Sequence, residues 1–159
     1  MAISNDEFRA ALSRFPSGVT VVTTKDADGI FHGITVSAFC SLSLEPPLVL
    51  ICIEKSACSH DALAESKAFV VNILSSTQSA LSEQFASLLP DKFNGVPFRT
   101  GLNEMPVLDG VVASLECSLR KVSDGGDHTI FIGLVENASI NEGFPLVYSR
   151  SSYWTITDR

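Results

Sequence analysis

Two long segments joined by a glycine turn are the feature that most constrains how this chain folds. Between Val111 and Val122, apolar and polar residues alternate, which is typical of a β-strand with one face toward a core. Asp124-Gly125-Gly126 then forms a turn into the strongly apolar segment from His128 to Leu134. The pattern predicts an antiparallel hairpin. Its first strand is expected to direct one set of residues toward the core, namely Val111, Ala113, Leu115, Cys117 and Leu119. The opposite face is expected to carry Ser114, Glu116, Ser118 and Arg120.

Helix signals occur at three further places. A capping box at residues 4–7 opens a short amphipathic helix that Pro16 ends. A second helix is predicted over residues 59–66. A third begins after the capping signal of residues 75–78 and closes at residues 89–91. The apolar face of this third helix is predicted to carry Leu81, Phe85 and Leu88.

Strand patterns separate these helices, at residues 19–24, 30–36, 48–53, 68–74 and 146–149. The run from 48 to 53 is unbroken and apolar, which predicts a strand buried on both faces. Residues 91–110 show little periodicity and predict a long loop with room for one short strand. Together these patterns predict a mainly β, antiparallel fold with a few helices. Closure into a small barrel would protect the strand edges.

Composition limits the classes of function. The chain of 159 residues suits a single domain spanning 1–159. Hydrophobic residues make up 45% of it and the mean hydropathy is +0.26, so we expect a second subunit to cover apolar surface, most simply in a homodimer. A net charge of −7 argues against nucleic-acid binding. No segment reaches the ~20 apolar residues of a membrane span and the chain starts with acidic residues, so we expect a cytoplasmic location.

The cysteines and histidines give no metal signature. Cys40, Cys52, Cys58 and Cys117 contain no C-x-x-C pair, and three of them lie in or beside apolar segments, so reduced, buried thiols are expected. The histidines are far apart in sequence, at positions 32, 60 and 128. We therefore expect no metal site.

Hydroxyl groups are closely spaced ahead of the 48–53 strand, at Thr35, Ser37, Ser41 and Ser43. Hydroxyl and backbone N–H groups in such a segment could bind a phosphate or the polar edge of a ring. An ordinary strand with a hydrated serine face is an equally good interpretation. Lys55, Ser56 and Ser59 at the start of the second helix could also bind phosphate, although a capped surface helix explains them as well.

His128 opens the second strand of the hairpin and shares a strand face with Ile130, Ile132 and Leu134. If those three residues face the core, the imidazole lies at the end of an apolar face, where it could stack on or hydrogen-bond to a ligand ring. A purely structural histidine is the alternative. The sequence contains no nucleophile elbow, no G-x-G-x-x-G and no P-loop, so it supports neither a Ser-His-Asp hydrolase nor those nucleotide sites.

Several ordered motifs run almost from end to end of the chain: residues 15–24 (FPSGVTVVTT), 35–48, 69–74 (FVVNIL), Phe85-Ala86, and Gly126-Asp127-His128 with Gly133. In this combination the chain resembles the short-chain flavin reductases, the reductase components of two-component flavin monooxygenases. The resemblance implies an FMN-binding split β-barrel of antiparallel, Greek-key topology that works as a homodimer. It also implies an NADH- or NADPH-dependent enzyme that reduces FMN or FAD and supplies a separate flavin-dependent monooxygenase.

The resemblance further implies roles for individual residues. The residues expected to line the flavin ring are Gly33, Thr35, Val36, Ser37, Cys52 and Ile53. Those expected to hold its ribityl-phosphate end are Ser41, Lys55, Ser59 and His60. Phe85 would flank the flavin from a helix. His128 would be the catalytic residue beside the nicotinamide nucleotide, with Tyr153 as a neighbour.

Two other functions remain open from the residues alone. One is a flavin-binding carrier of the same fold with no reductase turnover. The other is a small barrel that binds an apolar ligand or partner without flavin. An acidic chain without an evident arginine cluster for a 2′-phosphate favours NADH over NADPH.

Overall fold

A computed structural model describes residues 3–157 and contains, within that range, three α-helices, one short 3-10 helix and twelve strands. The helices are α1 (Asn5–Leu12), α2 (His60–Glu65) and α3 (Ser79–Ala86), with the 3-10 turn at Leu102–Glu104. The strands are β1 (Ser17–Gly18), β2 (Thr20–Lys25), β3 (Phe31–Val36), β4 (Phe39–Ser43), β5 (Leu48–Glu54), β6 (Ala68–Ile73), β7 (Phe98–Thr100), β8 (Pro106–Leu108), β9 (Ala113–Gly125), β10 (His128–Ile140), β11 (Val147–Ser149) and β12 (Ser152–Trp154). The prediction of a single-domain, mainly β, antiparallel fold is confirmed. The boundaries 1–159 stay a prediction, because Met1, Ala2, Asp158 and Arg159 lie outside the described range.

Seven strands form the main sheet, in the order β3-β2-β6-β9-β10-β5-β4, with every neighbouring pair antiparallel. The two edge strands, β3 and β4, are separated in the chain by only Ser37 and Ala38. The sheet therefore curls until its edges lie close together, and the Cys52 N–H donates to Ala38 O at 3.0 Å. Within residues 3–157 no ladder joins β3 to β4, so the expected closure of the barrel by hydrogen bonds is wrong and a gap remains.

The core lies inside the curled sheet and continues beneath α3. Ile51, Phe69 and Phe131 are completely or almost completely buried in the inner cluster. A second cluster, which contains Phe85, includes Val21 on the other face of β2, and a third cluster packs Ala68 and Val70 of β6 against Met105 and Val107. Both faces of these two central strands are covered, and five of the six residues in each are buried.

Strand β5 alternates instead of being buried on both faces as predicted. Val49, Ile51 and Ile53 face the core, whereas the residues between them are only half-buried. An apolar residue on the outer face of a sheet and one in the core look the same in sequence, which is why the unbroken run gave a wrong prediction.

The condition that Ile130, Ile132 and Leu134 face the core is not met in β10. The buried residues are Thr129, Phe131 and Gly133, while His128, Ile130, Ile132 and Leu134 are half-buried on the opposite face. The rings of Phe131 and Phe69 fill the core on the inner side, and a Cβ at Gly133 would lie 2.5 Å from Phe69 Cζ. The apolar outer face of β10 continues onto β5, where Ile130 pairs with Cys52 and Ile132 with Leu50.

Strand β9 buries two polar residues that were predicted to face outward. Ser114 is 0% exposed and its hydroxyl lies 2.6 Å from Ser139 Oγ, whereas Glu116 is 3% exposed because Gly101 and Leu102 lie against its carboxylate. The Glu116 carboxylate accepts hydrogen bonds from Leu102 N–H and Asn137 Nδ2–H. The predicted loop thus contains a short hairpin, β7 with β8.

The helices differ from their predictions at their ends and faces. The capping box of α1 is present, but Phe8 and Leu12 on its apolar face are more than half exposed. Helix α3 ends at Ala86, before the predicted closure, and Leu88 is 90% exposed beyond it. No helix within residues 3–157 combines the length and apolar character needed to cross a bilayer.

Candidate functional site

The free edge of β3 borders the gap in the sheet. The Leu74 N–H donates to Val19 O at 3.0 Å, just before β2 begins. The odd-numbered residues of β2 therefore hydrogen-bond toward β6. Because antiparallel hydrogen bonds alternate along a strand, the even-numbered residues of β2 bond to β3, and the backbone groups of Gly33 and Thr35 lie on the open edge. This edge offers N–H and C=O groups that no neighbouring strand uses.

A groove of about 200 Å³, here called the edge groove, runs between β3 and the end of β5. Six of the predicted site residues line it: Thr35, Val36, Ser37, Cys52, Ile53 and His128. The fold therefore brings together residues that are up to 93 positions apart, counting from Thr35 to His128.

Two further grooves adjoin the edge groove. The helix groove, about 580 Å³, lies beyond His128 and is lined by Asn5, Phe8, Arg9, Cys52, Glu54, Gly125, Asp127, His128 and Ile130. The tyrosine groove, about 180 Å³, shares Thr35 and Ser37 with the edge groove and also contains Tyr153. In the tyrosine groove, Tyr153 Oη–H donates to Ser82 Oγ at 2.9 Å, and Thr35 Oγ1–H donates to Ser82 O at 2.6 Å.

His128 lies where the edge groove and the helix groove meet. Its side chain is 41% exposed, and Nδ1 lies 2.7 Å from Asp127 Oδ1. This hydrogen bond holds the pKa of Asp127 below its ordinary value. With Nδ1–H donating to the carboxylate, Nε2 is left as an acceptor at the groove.

Gly33 and Phe85 contact each other behind the open edge of β3. Phe85 is fully buried and packs edge-on against Phe93, with ring centroids 5.1 Å apart. Its ring lies against the backbone of Gly33, so it supports β3 from behind and does not flank the open grooves. The close approach requires a residue without a side chain at position 33.

The four residues predicted to hold a phosphate are not assembled into one site. Ser41 is exposed on β4 and lines none of the grooves described here. Lys55 donates to Asp124 Oδ1 at 2.5 Å and to Gly126 O at 2.6 Å, so its charge is already paired at the β9–β10 turn. His60 Nε2 lies 2.8 Å from Thr129 Oγ1. Ser59 lines a small groove together with Gly33.

The hydroxyl-rich segment of residues 35–43 is mostly strand. Thr35 and Val36 end β3, Ser37 and Ala38 form the link, and β4 follows. Ser37 and Ser41 are exposed. The interpretation as a strand with a hydrated face therefore holds for β4, whereas Thr35 and Ser37 lie in grooves.

The residues that line the grooves but were not predicted as site residues include Phe8, Arg9 and Lys92. Phe8 and Arg9 reach the helix groove from α1, and Lys92 lies beside Gly33 and Ser59. Lys92 follows the predicted helix end at residues 89–91, and its contacts are with residues far away in sequence, so no local pattern marked it.

The described part of the chain contains no cluster of three His, Cys, Asp or Glu side chains placed to hold a metal ion. All four cysteines are free thiols, but the expectation that they are buried is wrong for two of them. Cys40 and Cys58 are exposed, Cys52 is half-buried in the edge groove and Cys117 is buried. Burial raises the pKa of Cys117 to about 12.

Comparison with known proteins identifies the family. Residues 12–157 match the family described as "Flavin reductase like domain". The chain belongs to the flavin reductase family. The resemblance seen in the sequence is thereby confirmed, and the grooves around β3 are the candidate site of a flavin reductase.

Relatives of this flavin reductase include the reductase subunit HsaB of a flavin-dependent monooxygenase from Rhodococcus jostii, 42% identical over 98% of this chain and 80% of that protein. A probable flavin reductase from Rhizobium meliloti is 40% identical over 92% of this chain, which spans 47% of that longer protein. Among solved structures, an NADH:FAD oxidoreductase from Streptomyces globisporus, in complex with NAD and FAD fragments, has a TM-score of 0.89 and 33% identity, covering 99% of this chain and 98% of that one.

Proposed function

We propose that this flavin reductase transfers a hydride from NADH to FMN or FAD and releases the reduced flavin to a separate flavin-dependent monooxygenase. The observation that carries the proposal is the open edge of β3 facing His128 across the edge groove. The named relatives support it, since they include a monooxygenase reductase subunit and an NADH:FAD oxidoreductase.

The residues of the edge groove fit a flavin. A flavin ring carries alternating hydrogen-bond donors and acceptors along its pyrimidine edge, which the backbone groups of Thr35 on the open edge of β3 can match. The groove walls at Val36 and Ile53 are apolar and suit the faces of the ring. When bound, the flavin supplies the acceptor for the hydride.

The protein's part in the reaction is to position the two cofactors and exclude water. Because the hydride moves between cofactors, no strong acid or base is required, and alignment of the two rings gives the rate advantage. His128 Nε2, left as an acceptor by the Nδ1–H bond to Asp127, can accept a hydrogen bond from the carboxamide N–H of nicotinamide. Tyr153 borders the same site from the tyrosine groove.

The charges of the helix groove favour NADH over NADPH. Glu54 and Asp127 both line this groove, and both carry carboxylates. A carboxylate can accept hydrogen bonds from ribose hydroxyls but repels the 2′-phosphate of NADPH. Arg9 is the one cation lining the groove, and its nearest anion is the exposed Asp6 at 3.6 Å.

The proposal also includes two features of the architecture, a split barrel and a homodimer. A sheet that curls without closing between β3 and β4 supports the description as a split barrel. The outer strip, formed by half-buried residues of β5 and β10, supports a homodimer, since large exposed apolar patches mark interfaces. The residues of the outer strip are Leu48, Leu50, Cys52, Ile130, Ile132 and Leu134.

Steady-state oxidation of NADH and NADPH by the purified protein, with FMN, FAD or no flavin added, tests the proposed function. We expect oxidation that requires added or bound flavin and is faster with NADH. A protein that binds flavin but does not oxidise either nucleotide would instead be a carrier. A protein that neither binds flavin nor oxidises nucleotide would belong to the class of small barrels for other ligands.

A further inference from the structure

The turn between β9 and β10 carries Asp127 and His128 on a flexible backbone. It contains two glycines in succession, and the second, Gly126, has a φ of +82°. Glycine loses more conformational freedom on folding than any other residue. The side chains of Asp124 and Asp127 are 77% and 88% exposed, so packing does not hold them in place. Contacts from outside the turn therefore have to set the position of Asp127.

Lys55, the residue that follows β5, supplies three such contacts. Its backbone N–H donates to Asp127 O at 2.9 Å. Its ammonium donates to Asp124 Oδ1 at 2.5 Å and to Gly126 O at 2.6 Å. The hydrogen bond from Lys55 lowers the pKa of Asp124, so this carboxylate stays charged at neutral pH. A single residue of the neighbouring strand end thus holds three residues of the turn.

The Lys55 ammonium contributes more to the geometry of the turn than to the stability of the fold. The side chains of Lys55 and Asp124 are 45% and 77% exposed, and exposed ion pairs contribute little to the free energy of unfolding. Donation from the same ammonium to Gly126 O fixes the peptide group that joins Gly126 to Asp127. The position of this peptide group sets the direction in which the Asp127 side chain leaves the backbone.

The position of Asp127 in turn determines which nitrogen of His128 carries the proton. Asp127 Oδ1 lies 2.7 Å from His128 Nδ1, and a carboxylate only accepts hydrogen bonds, so Nδ1 carries the proton. Nε2 is then an acceptor where the edge groove and the helix groove meet. The hydrogen bond with His128 is the main cause that lowers the pKa of Asp127, and the charge of Lys55 lowers it further.

We propose that Lys55 is a positioning residue for the nicotinamide nucleotide. It holds the β9–β10 turn so that Asp127 keeps His128 Nε2 available as a hydrogen-bond acceptor. This assignment rests on the proposed function and deepens it. Lys55 acts through Asp127 and not on the reacting rings. The role differs from the one that the family resemblance implies for Lys55, contact with the phosphate end of the flavin.

Steady-state oxidation of NADH at saturating flavin tests the assignment. Lys55→Met keeps an apolar stem of similar length and removes the charge. We expect it to lower kcat/KM for NADH about fivefold, the effect of one weakened hydrogen bond, and to leave the Kd of flavin unchanged. Lys55→Arg retains a cation that can donate to both partners and should restore most of the loss. Lys25→Met is the matched control, because Lys25 pairs with Glu104 and lines none of the grooves described here; it should not change kcat/KM.

A double variant separates positioning from an independent structural effect. If Lys55 acts through His128, Lys55→Met should have little further effect in a protein that already carries His128→Ala. Equal losses of kcat/KM with and without His128→Ala would show that Lys55 acts elsewhere, and that result would overturn the assignment.

The tautomer of His128 gives a readout that does not depend on turnover. NMR of the imidazole nitrogens distinguishes the two neutral forms at a pH where the ring is uncharged. We expect the Nδ1–H form to dominate in the unaltered protein and in Lys25→Met, and the share of the Nε2–H form to rise in Lys55→Met. If Lys55→Met does not fold, Asp124→Ala removes one contact of the ammonium and should shift the tautomers in the same direction. A dominant Nε2–H form in the unaltered protein would contradict the proposal.

Two further results would overturn the assignment. Unchanged kcat/KM in Lys55→Met would remove Lys55 from the reaction. A raised Kd of FMN but not of riboflavin, which lacks the phosphate, would assign Lys55 to the phosphate end of the flavin. If the unaltered protein oxidises NADH with neither FMN nor FAD, the proposed function itself fails, and the tautomer measurement still tests whether Lys55 acts on His128.

Discussion

The ring of Phe85 occupies the space that a side chain at Gly33 would need. A Cβ built at Gly33 would lie 2.6 Å from Phe85 Cδ1 and closer still to Cε1. Phe85 is itself fully buried and packed against Phe93, so it has little freedom to move. The contact sets the position of the β3 edge, and therefore of the backbone groups that we propose to hold the flavin.

Gly33→Ala is expected to lower both stability and flavin affinity. Overpacking of this kind costs about 1–3 kcal/mol of unfolding free energy. Urea unfolding and flavin titration measure the two effects. Gly18→Ala is the control, since a Cβ there meets nothing within 4 Å. Combining Gly33→Ala with Phe85→Leu should recover part of the flavin affinity, and a double variant no better than Gly33→Ala would show that Phe85 is not the obstacle.

His128→Ala is expected to weaken the productive binding of NADH. Loss of one hydrogen bond to the nicotinamide carboxamide should lower kcat/KM for NADH about tenfold. The Kd of flavin should stay the same, because the proposed flavin contacts come from β3 and β5. Steady-state kinetics and a flavin titration check the two parts. Unchanged kcat and KM would remove His128 from the site.

Glu54→Gln is expected to shift the preference between the two nicotinamide nucleotides. Removing one carboxylate near the 2′-phosphate relieves about 1 kcal/mol of repulsion, so kcat/KM for NADPH should rise about fivefold relative to NADH. Glu142→Gln is the control, at an exposed carboxylate on another part of the surface. If the ratio of kcat/KM for NADPH to that for NADH changes equally in both variants, the effect comes from the net charge of the protein and not from the helix groove.

The four cysteines are expected to react with a thiol reagent at neutral pH at clearly different rates. Exposed Cys40 and Cys58 should react first, while burial raises the pKa of the Cys52 thiol and slows it. Cys117, with its pKa raised to about 12, should stay unmodified until the protein unfolds. Mass spectrometry of peptides after timed labelling measures the order. Saturating flavin should slow Cys52 further, because it lines the edge groove.

Ile132→Glu is expected to disrupt the proposed homodimer. The charge would lie in the middle of the outer strip, where Ile132 pairs with Leu50. Burying an unpaired carboxylate in an interface is strongly unfavourable. Light scattering coupled to size exclusion should show a dimer for the unaltered protein and for Thr100→Glu, which adds the same charge at an exposed position on β7. A monomer in all three samples would refute the homodimer.

The sequence predicted well what depends on neighbouring residues. The β9–β10 hairpin and the capping box of α1 rest on local patterns, and both are present. The sequence could not assign a residue to one face of a strand where the core and the outer face of the sheet favour the same residue type. Ile132 and Phe131 are both apolar, yet one lies on the outer strip and the other in the core.

The candidate site was predicted in part for the same reason. Thr35 and His128 line the same groove because the curled sheet brings the end of β3 close to the start of β10. Both residues were predicted for the site from the family motifs. The contacts of two lysines were not predicted: the Lys55 ammonium donates to Asp124 Oδ1, and the Lys92 ammonium donates to Gly33 O. These contacts join residues 59 or more positions apart, so no local pattern reveals them.

Anaerobic mixing of the protein with oxidised flavin and NADH tests the central claim most directly. If both cofactors meet in the grooves around β3, the visible absorbance of the flavin should bleach rapidly, and only when the folded protein is present. Bleaching at the same slow rate with and without the folded protein would contradict the account.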